Sequence, residues 1–329
     1  MTDTPFAAAR ATDAKTIPVI DISTLMAGEG VDAVSQAIYA AATDHGFFYV
    51  SGHGIAQSLM DRAFDAAARF FALNTEAKAS VAIDTYQRGW MAQGMSRLDG
   101  ADTHDLKEVF FWAAEVAEDD PDWRAGKPMV APNQWPDAVC PDLRRGLAPY
   151  HAAVCDVGRR LMSAIALSLG QPADQFDAAY AKPLARGQAV YYPPSTQADE
   201  AARRYGVAPH TDFGVLTLLL QDASGGLQVR ARSGEWIEAP PIDGTLVCNI
   251  GDLLARWSND RFNSTLHRVI NRTEDARYSI PVFFDPHTDT VVDPADLGVA
   301  RADCLHDPVT VGAHIASRNR KSFAQYKDA

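Results

Sequence analysis

The sequence predicts an α+β fold that is mainly β, with a jelly-roll core and N-terminal helices packed against one face of it. Helical periodicity dominates the first half of the chain, whereas short apolar or alternating runs dominate after Pro183. Glycine and proline residues divide the second half into about eight short strands, a spacing typical of a two-sheet barrel or jelly roll. Because the helices precede the strands, we expect them to cover one face of the β core.

Composition narrows the class of protein and its partners. The chain has 329 residues, a net charge of −12 and 47% hydrophobic residues, as expected of a globular protein with a large core. The acidic balance argues against broad binding to nucleic acid or to a membrane surface, and no apolar run approaches the ~18 residues of a membrane span. The four cysteines form no C-x-x-C pair. This pattern predicts reduced thiols and a cytoplasmic location.

The predicted organisation is a flexible N-terminal tail over residues 1–14 followed by a single domain over residues 15–329. Residues 15–180 form its mostly helical part. The clearest helix spans 142–169, where apolar residues recur every three or four positions. The other elements predicted in this part are a strand at 17–20, a helix at 31–42, a strand at 47–50 and a helix at 56–71.

Residues 84–141 interrupt this pattern. Several glycines and prolines break the periodicity, and only 106–113 looks like a strand. A long irregular segment in a compact domain is often a lid or a binding loop. We therefore expect this segment to lie near a ligand.

The jelly-roll core is predicted over residues 183–295, with a hairpin turn at 232–235 and a further helix at 311–326 packed on the barrel. Its predicted strands are 188–192, 215–220, 227–231, 236–239, 245–250, 265–270, 278–284 and 290–292.

A candidate metal site starts at His210 and Asp212. Pro209 favours an extended chain before it, and residues two apart in an extended chain point to the same side. His267, on another predicted strand, can supply a third ligand. Two histidines and one carboxylate form the triad that leaves adjacent positions on iron(II) open for substrate and oxygen. A short H-x-D pattern also occurs by chance, and a strand histidine is often a core residue, so a structural role stays open.

A candidate carboxylate receptor lies ten residues after His267. Arg277 and Ser279 are two apart at a strand start, so a guanidinium and a hydroxyl face the same side. Tyr192, at the end of another strand, can add a second hydroxyl. A buried arginine requires an anion, so the pattern indicates either a carboxylate ligand or an internal salt bridge.

With these residues in place, the chain resembles the iron(II)/2-oxoglutarate-dependent oxygenases of the isopenicillin N synthase-like family over nearly its whole length. The matching motifs are 17–21 (IPVID), 46–50 (GFFYV), 53–55 (HGI), 70–73 (FFAL), 105–110 (DLKEVF), 191–194 (YYPP), 210–217 (HTDFGVLT), 225–228 (GGLQ), 249–252 (NIGD), 264–269 (STLHRV) and 277–279 (RYS).

The resemblance implies a double-stranded β-helix core of the cupin-like type and an enzyme that uses Fe(II), 2-oxoglutarate and O2. Such an enzyme couples decarboxylation of 2-oxoglutarate to hydroxylation, or related C–H chemistry, of a small organic substrate. The implied iron ligands are His210, Asp212 and His267, and the implied contacts to the distal carboxylate of 2-oxoglutarate are Arg277, Ser279 and Tyr192. Val190 departs from the pattern, because plant members often carry asparagine there. A polar contact near the cosubstrate is therefore missing or made by another group.

Three alternatives remain open at this point. Some members of the family are 2-oxoglutarate-independent oxidases or ring-closing enzymes, which use the arginine and serine for the carboxylate of the substrate itself. A zinc hydrolase could use the same three ligands, but the H-E-x-x-H helix that carries its general base is absent. A non-catalytic barrel that binds a metabolite would tolerate loss of a ligand, yet all three are present.

The substrate pocket is the least constrained part of the prediction. Its candidate residues are Phe213, Phe283, Arg88, Arg97 and Phe110. Either arginine could grip an acidic substrate. Core packing of the phenylalanines and solvent exposure of the arginines are the alternatives.

Overall fold

Two β-sheets enclose the core, and helices cover the outer face of the larger sheet. The computed structural model describes residues 6–12, 16–97 and 101–322. The helices are α1 Ser23–Met26, α2 Val31–Asp44, α3 Gln57–Phe71, α4 Thr75–Ala79, α5 Pro121–Arg124, α6 Pro141–Ser168, α7 Gln197–Ala201, α8 Asp252–Trp257 and α9 Val311–Ser322, with 3-10 turns at Pro294–Leu297 and Arg301–Asp303. None of the helices in these ranges is both long and apolar enough to cross a membrane.

The strands form one large, one small and one two-stranded sheet. The strands are β1 Val19–Asp21, β2 Phe47–Ser51, β3 Gly89–Met91, β4 Glu108–Trp112, β5 Arg186–Tyr192, β6 Val207–His210, β7 Leu216–Gln221, β8 Leu227–Arg230, β9 Trp236–Glu238, β10 Leu246–Ile250, β11 His267–Val269, β12 Arg277–Phe284, β13 Val291–Val292 and β14 Val309–Thr310. The major sheet has the order β1-β2-β10-β7-β12-β5-β4-β3, the minor sheet β6-β11-β8-β9, and β13 pairs with β14.

Two hydrophobic clusters hold these layers together. The larger joins α2, α3 and α6 to the major sheet, and it includes Leu161 and Ile165 of α6 with Leu218 of β7 and Val282 of β12. The smaller lies between the two sheets. Because strand side chains alternate, β2, β3, β4, β5 and β10 of the major sheet contribute residues to both clusters. The predicted jelly roll with helices on one face is confirmed, and α6 lies within one residue of its predicted bounds.

The N-terminal segment differs from the flexible tail predicted for residues 1–14. Its described residues, 6–12, run along the minor sheet. Arg10 forms a parallel bridge with Ile237 of β9, and the Ala8 carbonyl accepts a hydrogen bond of 2.9 Å from Arg268 Nη2. Backbone pairing with an edge strand therefore holds a segment whose composition carries no strand signal. The other residues of the predicted tail lie outside the described ranges, as do residues 323–326 of the predicted C-terminal helix.

The irregular segment contains more regular structure than predicted. β3 pairs with β4 and extends the major sheet, and α5 follows Asp120, whose side chain accepts hydrogen bonds from the first helical N–H groups. Three- and four-residue elements are too short to show a period, which is why the sequence predicts only the β4 strand here.

Gly46 positions β2 and offers a test of this packing. Its φ is +67°, and a Cβ there would lie 2.0 Å from the Asn263 carbonyl oxygen, whereas Gly28 has φ +79° with nothing within 4 Å. We expect Gly28→Ala to lower the free energy of unfolding by about 1 kcal/mol through backbone strain. Gly46→Ala should cost about 1–3 kcal/mol more, because of the clash. Urea denaturation of both variants measures the difference, and equal losses would contradict the packing described.

Candidate metal and cosubstrate site

Three candidate ligands converge at one end of the minor sheet. His210 ends β6 and His267 begins β11, and the two residues are direct partners in the antiparallel register. Their ring centroids lie 4.2 Å apart. Asp212 follows β6, and its Oδ1 lies 3.9 Å from His210 Nε2 and 3.7 Å from His267 Nε2. One ligand atom from each of the three residues lies within 4.8 Å of the other two.

Backbone carbonyls fix the tautomers of both rings. His210 Nδ1 lies 2.8 Å from the Ala208 carbonyl oxygen, and His267 Nδ1 lies 3.1 Å from that of Thr265. A carbonyl only accepts, so each Nδ1 carries the proton. Each Nε2 therefore presents its lone pair towards Asp212, the arrangement that a metal ligand needs.

The Asp212 carboxylate is held by the major sheet. Thr217 Oγ1 donates to Asp212 Oδ2 at 2.5 Å and Asn249 Nδ2 donates to the same oxygen at 2.7 Å. Thr217 and Asn249 are direct partners between β7 and β10. These bonds occupy Oδ2 and leave Oδ1 facing the histidines.

The electrostatics of the triad favour a neutral His210 imidazole beside an ionised Asp212 carboxylate. Burial lowers the pKa of His210 to about 3, and the neighbouring His267 and the charge of Lys107 act in the same direction. For Asp212, burial by itself raises the pKa, but His267, His210 and the hydrogen bonds to the carboxylate outweigh it and lower the pKa. The donor set is two imidazole nitrogens and one carboxylate oxygen, which fits iron(II) with open coordination positions.

Arg277 forms the opposite wall of the same cavity. It pairs with Tyr192 in the register of β12 and β5, and its guanidinium lies 4.7 Å from the centre of the Tyr192 ring. Arg277 Nε donates to the Gly225 carbonyl oxygen at 2.6 Å. The side chain is only 1% exposed, and its Nη1 has no hydrogen-bond partner.

No carboxylate of the described chain pairs with Arg277, which argues against the internal salt bridge considered from the sequence. Ser279 Oγ lies 3.5 Å from Tyr192 Oη, and both residues line the cavity together with Arg277. A buried guanidinium with an unused donor and two adjacent hydroxyls fits the carboxylate of 2-oxoglutarate.

The cavity-facing residues of β5 alternate along the strand. Val190 faces the cavity opposite Ser279. Gln188, two residues before it on the same side, also lines the cavity. The Gln188 amide therefore lies two residues before Val190, the position at which plant members often carry asparagine.

A second part of the cavity adjoins the triad on the side away from Arg277. Phe213 and Phe283, both expected near the substrate, line it. Phe213 packs 4.7 Å from the Arg318 guanidinium and Phe283 lies 5.2 Å from that of Arg186. The two rings thus form part of the cavity wall.

The structure does not bring Arg88, Arg97 or Phe110 to this cavity. The Arg88 guanidinium donates to backbone carbonyls, including that of Met129 at 2.9 Å. Arg97 is exposed, and its Nε donates to the Ala101 carbonyl oxygen. Phe110 packs against Phe70 in the helical cluster. The prediction for these three residues is therefore corrected. Phe110 is turned away from the cavity by the alternation of β4, and backbone carbonyls bind the two arginine side chains elsewhere.

Several residues that line the cavity were not predicted from the sequence. They are Lys107, Arg186, Gln188 and Asn319. Lys107 stands three residues before Phe110 and so lies on the opposite side of the extended chain. Arg186 and Gln188 could have been predicted, because both lie an even number of residues before Tyr192 on the same strand and therefore on its side of the sheet. Asn319 arrives from α9, and no local pattern connects it to the site.

Comparisons with known proteins agree with this geometry. The family model described as 2OG-Fe(II) oxygenase superfamily matches residues 187–286, and the one described as non-haem dioxygenase in morphine synthesis N-terminal matches residues 17–138. A homoarginine-6-hydroxylase of Glycine max is 38% identical over 310 residues, covering 89% of this chain and 92% of the relative. A 2-oxoglutarate-Fe(II) type oxidoreductase of Emericella nidulans is 35% identical over 282 residues, covering 83% and 80%.

Solved structures show the same likeness. A full-length Neurospora crassa protein in complex with alpha-KG matches with a TM-score of 0.80 at 29% identity, covering 92% of this chain and 95% of that one. The chain therefore belongs to the 2OG-Fe(II) oxygenase superfamily. It is an Fe(II)- and 2-oxoglutarate-dependent dioxygenase that uses O2 and acts on a small molecule. This confirms the resemblance and sets aside the zinc hydrolase, the non-catalytic barrel and the 2-oxoglutarate-independent oxidase.

The hydrogen bond from Asn249 to Asp212 provides a test of how the triad is supported. We expect Asn249→Ala to weaken iron(II) binding by about 10- to 100-fold, because the carboxylate loses a partner that orients it. Anaerobic competition with a chelator measures the affinity. Ser264→Ala is the matched control, since it removes a 2.7 Å bond to Asp252, an aspartate outside the triad. A similar affinity in both variants would mean that Asn249 does not support the metal.

Proposed function

We propose that His210, Asp212 and His267 bind iron(II) and that Arg277, Ser279 and Tyr192 bind the distal carboxylate of 2-oxoglutarate. The proposed reaction is hydroxylation, or related C–H oxidation, of a small organic substrate. The observation that carries this proposal is the buried Arg277 guanidinium with its unpaired Nη1, on the wall of the cavity that holds the triad. A carboxylate there places the rest of 2-oxoglutarate beside the three ligand atoms.

The bound iron and 2-oxoglutarate supply the oxidising chemistry, in which O2 is consumed and 2-oxoglutarate is converted to succinate and CO2. The residues of the chain position the reactants. Arg277 fixes the far end of the cosubstrate, and the fixed tautomers of His210 and His267 hold two coordination sites. Phe213 and Phe283 limit the access of water to the substrate side.

The proposed location is the cytoplasm. The four cysteines form no disulfide, and Cys140, Cys155 and Cys248 are buried. Reduced thiols and iron(II) both favour a reducing compartment. Fractionation with a cytoplasmic marker tests this assignment.

Removal of one iron ligand tests the metal site. We expect His210→Ala to abolish tight iron(II) binding and substrate-stimulated succinate release, because two remaining ligands hold the ion poorly. An anaerobic titration of iron(II), followed by 2-oxoglutarate, gives a visible charge-transfer band in the intact enzyme that this variant should lack. His306→Ala is the control, since His306 pairs with Asp260 away from the cavity. Turnover by His210→Ala would refute the assignment.

Removal of the guanidinium tests the cosubstrate site. We expect Arg277→Ala to raise the dissociation constant of 2-oxoglutarate by about 10- to 100-fold, because a charge-assisted pair is lost, while iron(II) affinity is unchanged. The charge-transfer band reports 2-oxoglutarate binding. Arg256→Ala, which removes an arginine bound to the Asp307 carbonyl, should leave it unaltered. An unchanged requirement in Arg277→Ala would assign Arg277 to another carboxylate.

A further inference from the structure

We propose that Lys107 binds an anionic group of the primary substrate, so that the substrate is a small organic acid. The inference rests on the proposed function, because it concerns the part of the same cavity that faces away from Arg277. Lys107 takes no part in the iron or cosubstrate assignments made above.

Lys107 is a buried cation beside the reaction centre. It stands immediately before β4 and is 7% exposed. It lines both the part of the cavity that contains Arg277 and the part that contains Phe213. A lysine in such a place is rare unless its charge has a partner.

The partner of Lys107 inside the protein is Asp105, which leaves donors free. Lys107 Nζ lies 3.1 Å from Asp105 Oδ2. The Asp105 carboxylate is enclosed, and it also accepts hydrogen bonds from Ser96 Oγ at 2.8 Å and from the Ala208 backbone N–H at 3.0 Å. An ammonium group has three donors, and this ion pair does not use all of them. Asp105 thus holds the ammonium group, and Lys107, which lines the cavity, keeps donors for a ligand there.

Positive side chains outnumber negative ones on this side of the cavity. Lys107 and Arg186 are its cations, and among the described residues that line it the one carboxylate is the proposed iron ligand Asp212. Arg186 is already bound to Asp285 Oδ2 at 2.8 Å and to Gln87 Oε1 at 3.2 Å. Lys107 is therefore the cation with the greater capacity for a ligand.

The remaining lining complements an acid with an apolar body. Phe213 and Phe283 supply apolar surface, and Gln188 supplies an amide. Asn319 is 1% exposed, and its Oδ1 is buried without a hydrogen-bond partner. A ligand with a carboxylate at Lys107 and a hydrogen-bond donor near Asn319 would satisfy both groups.

The test uses anaerobic enzyme loaded with iron(II) and 2-oxoglutarate. Aromatic and aliphatic monocarboxylic acids are titrated beside their own carboxamides, with the change in the visible band as the binding signal and succinate release in air as the second readout. We expect acids to bind at least tenfold more tightly than their amides in the unaltered enzyme. Lys107→Met should remove most of this preference, a loss of about tenfold or more, which is the effect of losing a charge-assisted hydrogen bond.

Lys78→Met is the matched control. Lys78 is equally buried and pairs with Glu108 at 2.6 Å, on the helical side of the same sheet. It should leave the preference for acids intact, and thermal denaturation of both variants shows whether either is unfolded. Lys107→Arg, which retains the charge, should keep the preference for acids over amides.

The other outcomes overturn the proposal. Equal binding of acids and amides, failure of every acid to bind, or an unchanged preference in Lys107→Met would each contradict it. A weaker binding of 2-oxoglutarate in Lys107→Met, with no effect on the acids, would assign Lys107 to the cosubstrate. Failure of the proposed function is a different result, because the unaltered enzyme would then show no charge-transfer band at all.

Discussion

The site depends on the hydrogen bonds that cross from the major sheet to Asp212. His210 and His267 belong to the minor sheet, and Asp212 follows it directly, but Thr217 and Asn249 reach the carboxylate from β7 and β10. A buried carboxylate is costly without partners, so this contact couples the relative position of the two sheets to the geometry of the triad. The small hydrophobic cluster between the sheets preserves the same spacing.

Buried charge is the second organising constraint. Three cations, Lys107, Arg186 and Arg277, lie around one cavity with little exposure. Two of them have a carboxylate behind them, whereas Arg277 has carbonyl and amide oxygens as its partners. Such ion pairs contribute little to folding stability once desolvation is counted. Their placement around the cavity is better explained by binding of ligands than by stability.

The sequence predicts the parts of the site that follow from strand alternation. The pairs His210 with Asp212 and Arg277 with Ser279 are each two residues apart, and the structure brings both pairs to the cavity. The same rule of alternation, applied to β4, excludes Phe110 from the cavity. The sequence alone predicts a strand at 106–113 but does not show which of its two sides faces the cavity. Lys107, three residues before Phe110, is on the inner side. Asn319 comes from α9, 109 positions after His210 in the chain, and only tertiary packing places it there.

The segment at residues 6–12 has a consequence for the open side of the barrel. β9 is the last strand of the minor sheet, and outward peptide groups on such a border invite strand addition by another molecule. Arg10 occupies them, since its N–H donates to the Trp236 carbonyl and its carbonyl accepts from the Glu238 N–H. The minor sheet carries both histidines, and the protein covers its β9 edge with its own backbone. This cover disfavours intermolecular aggregation at the β9 edge.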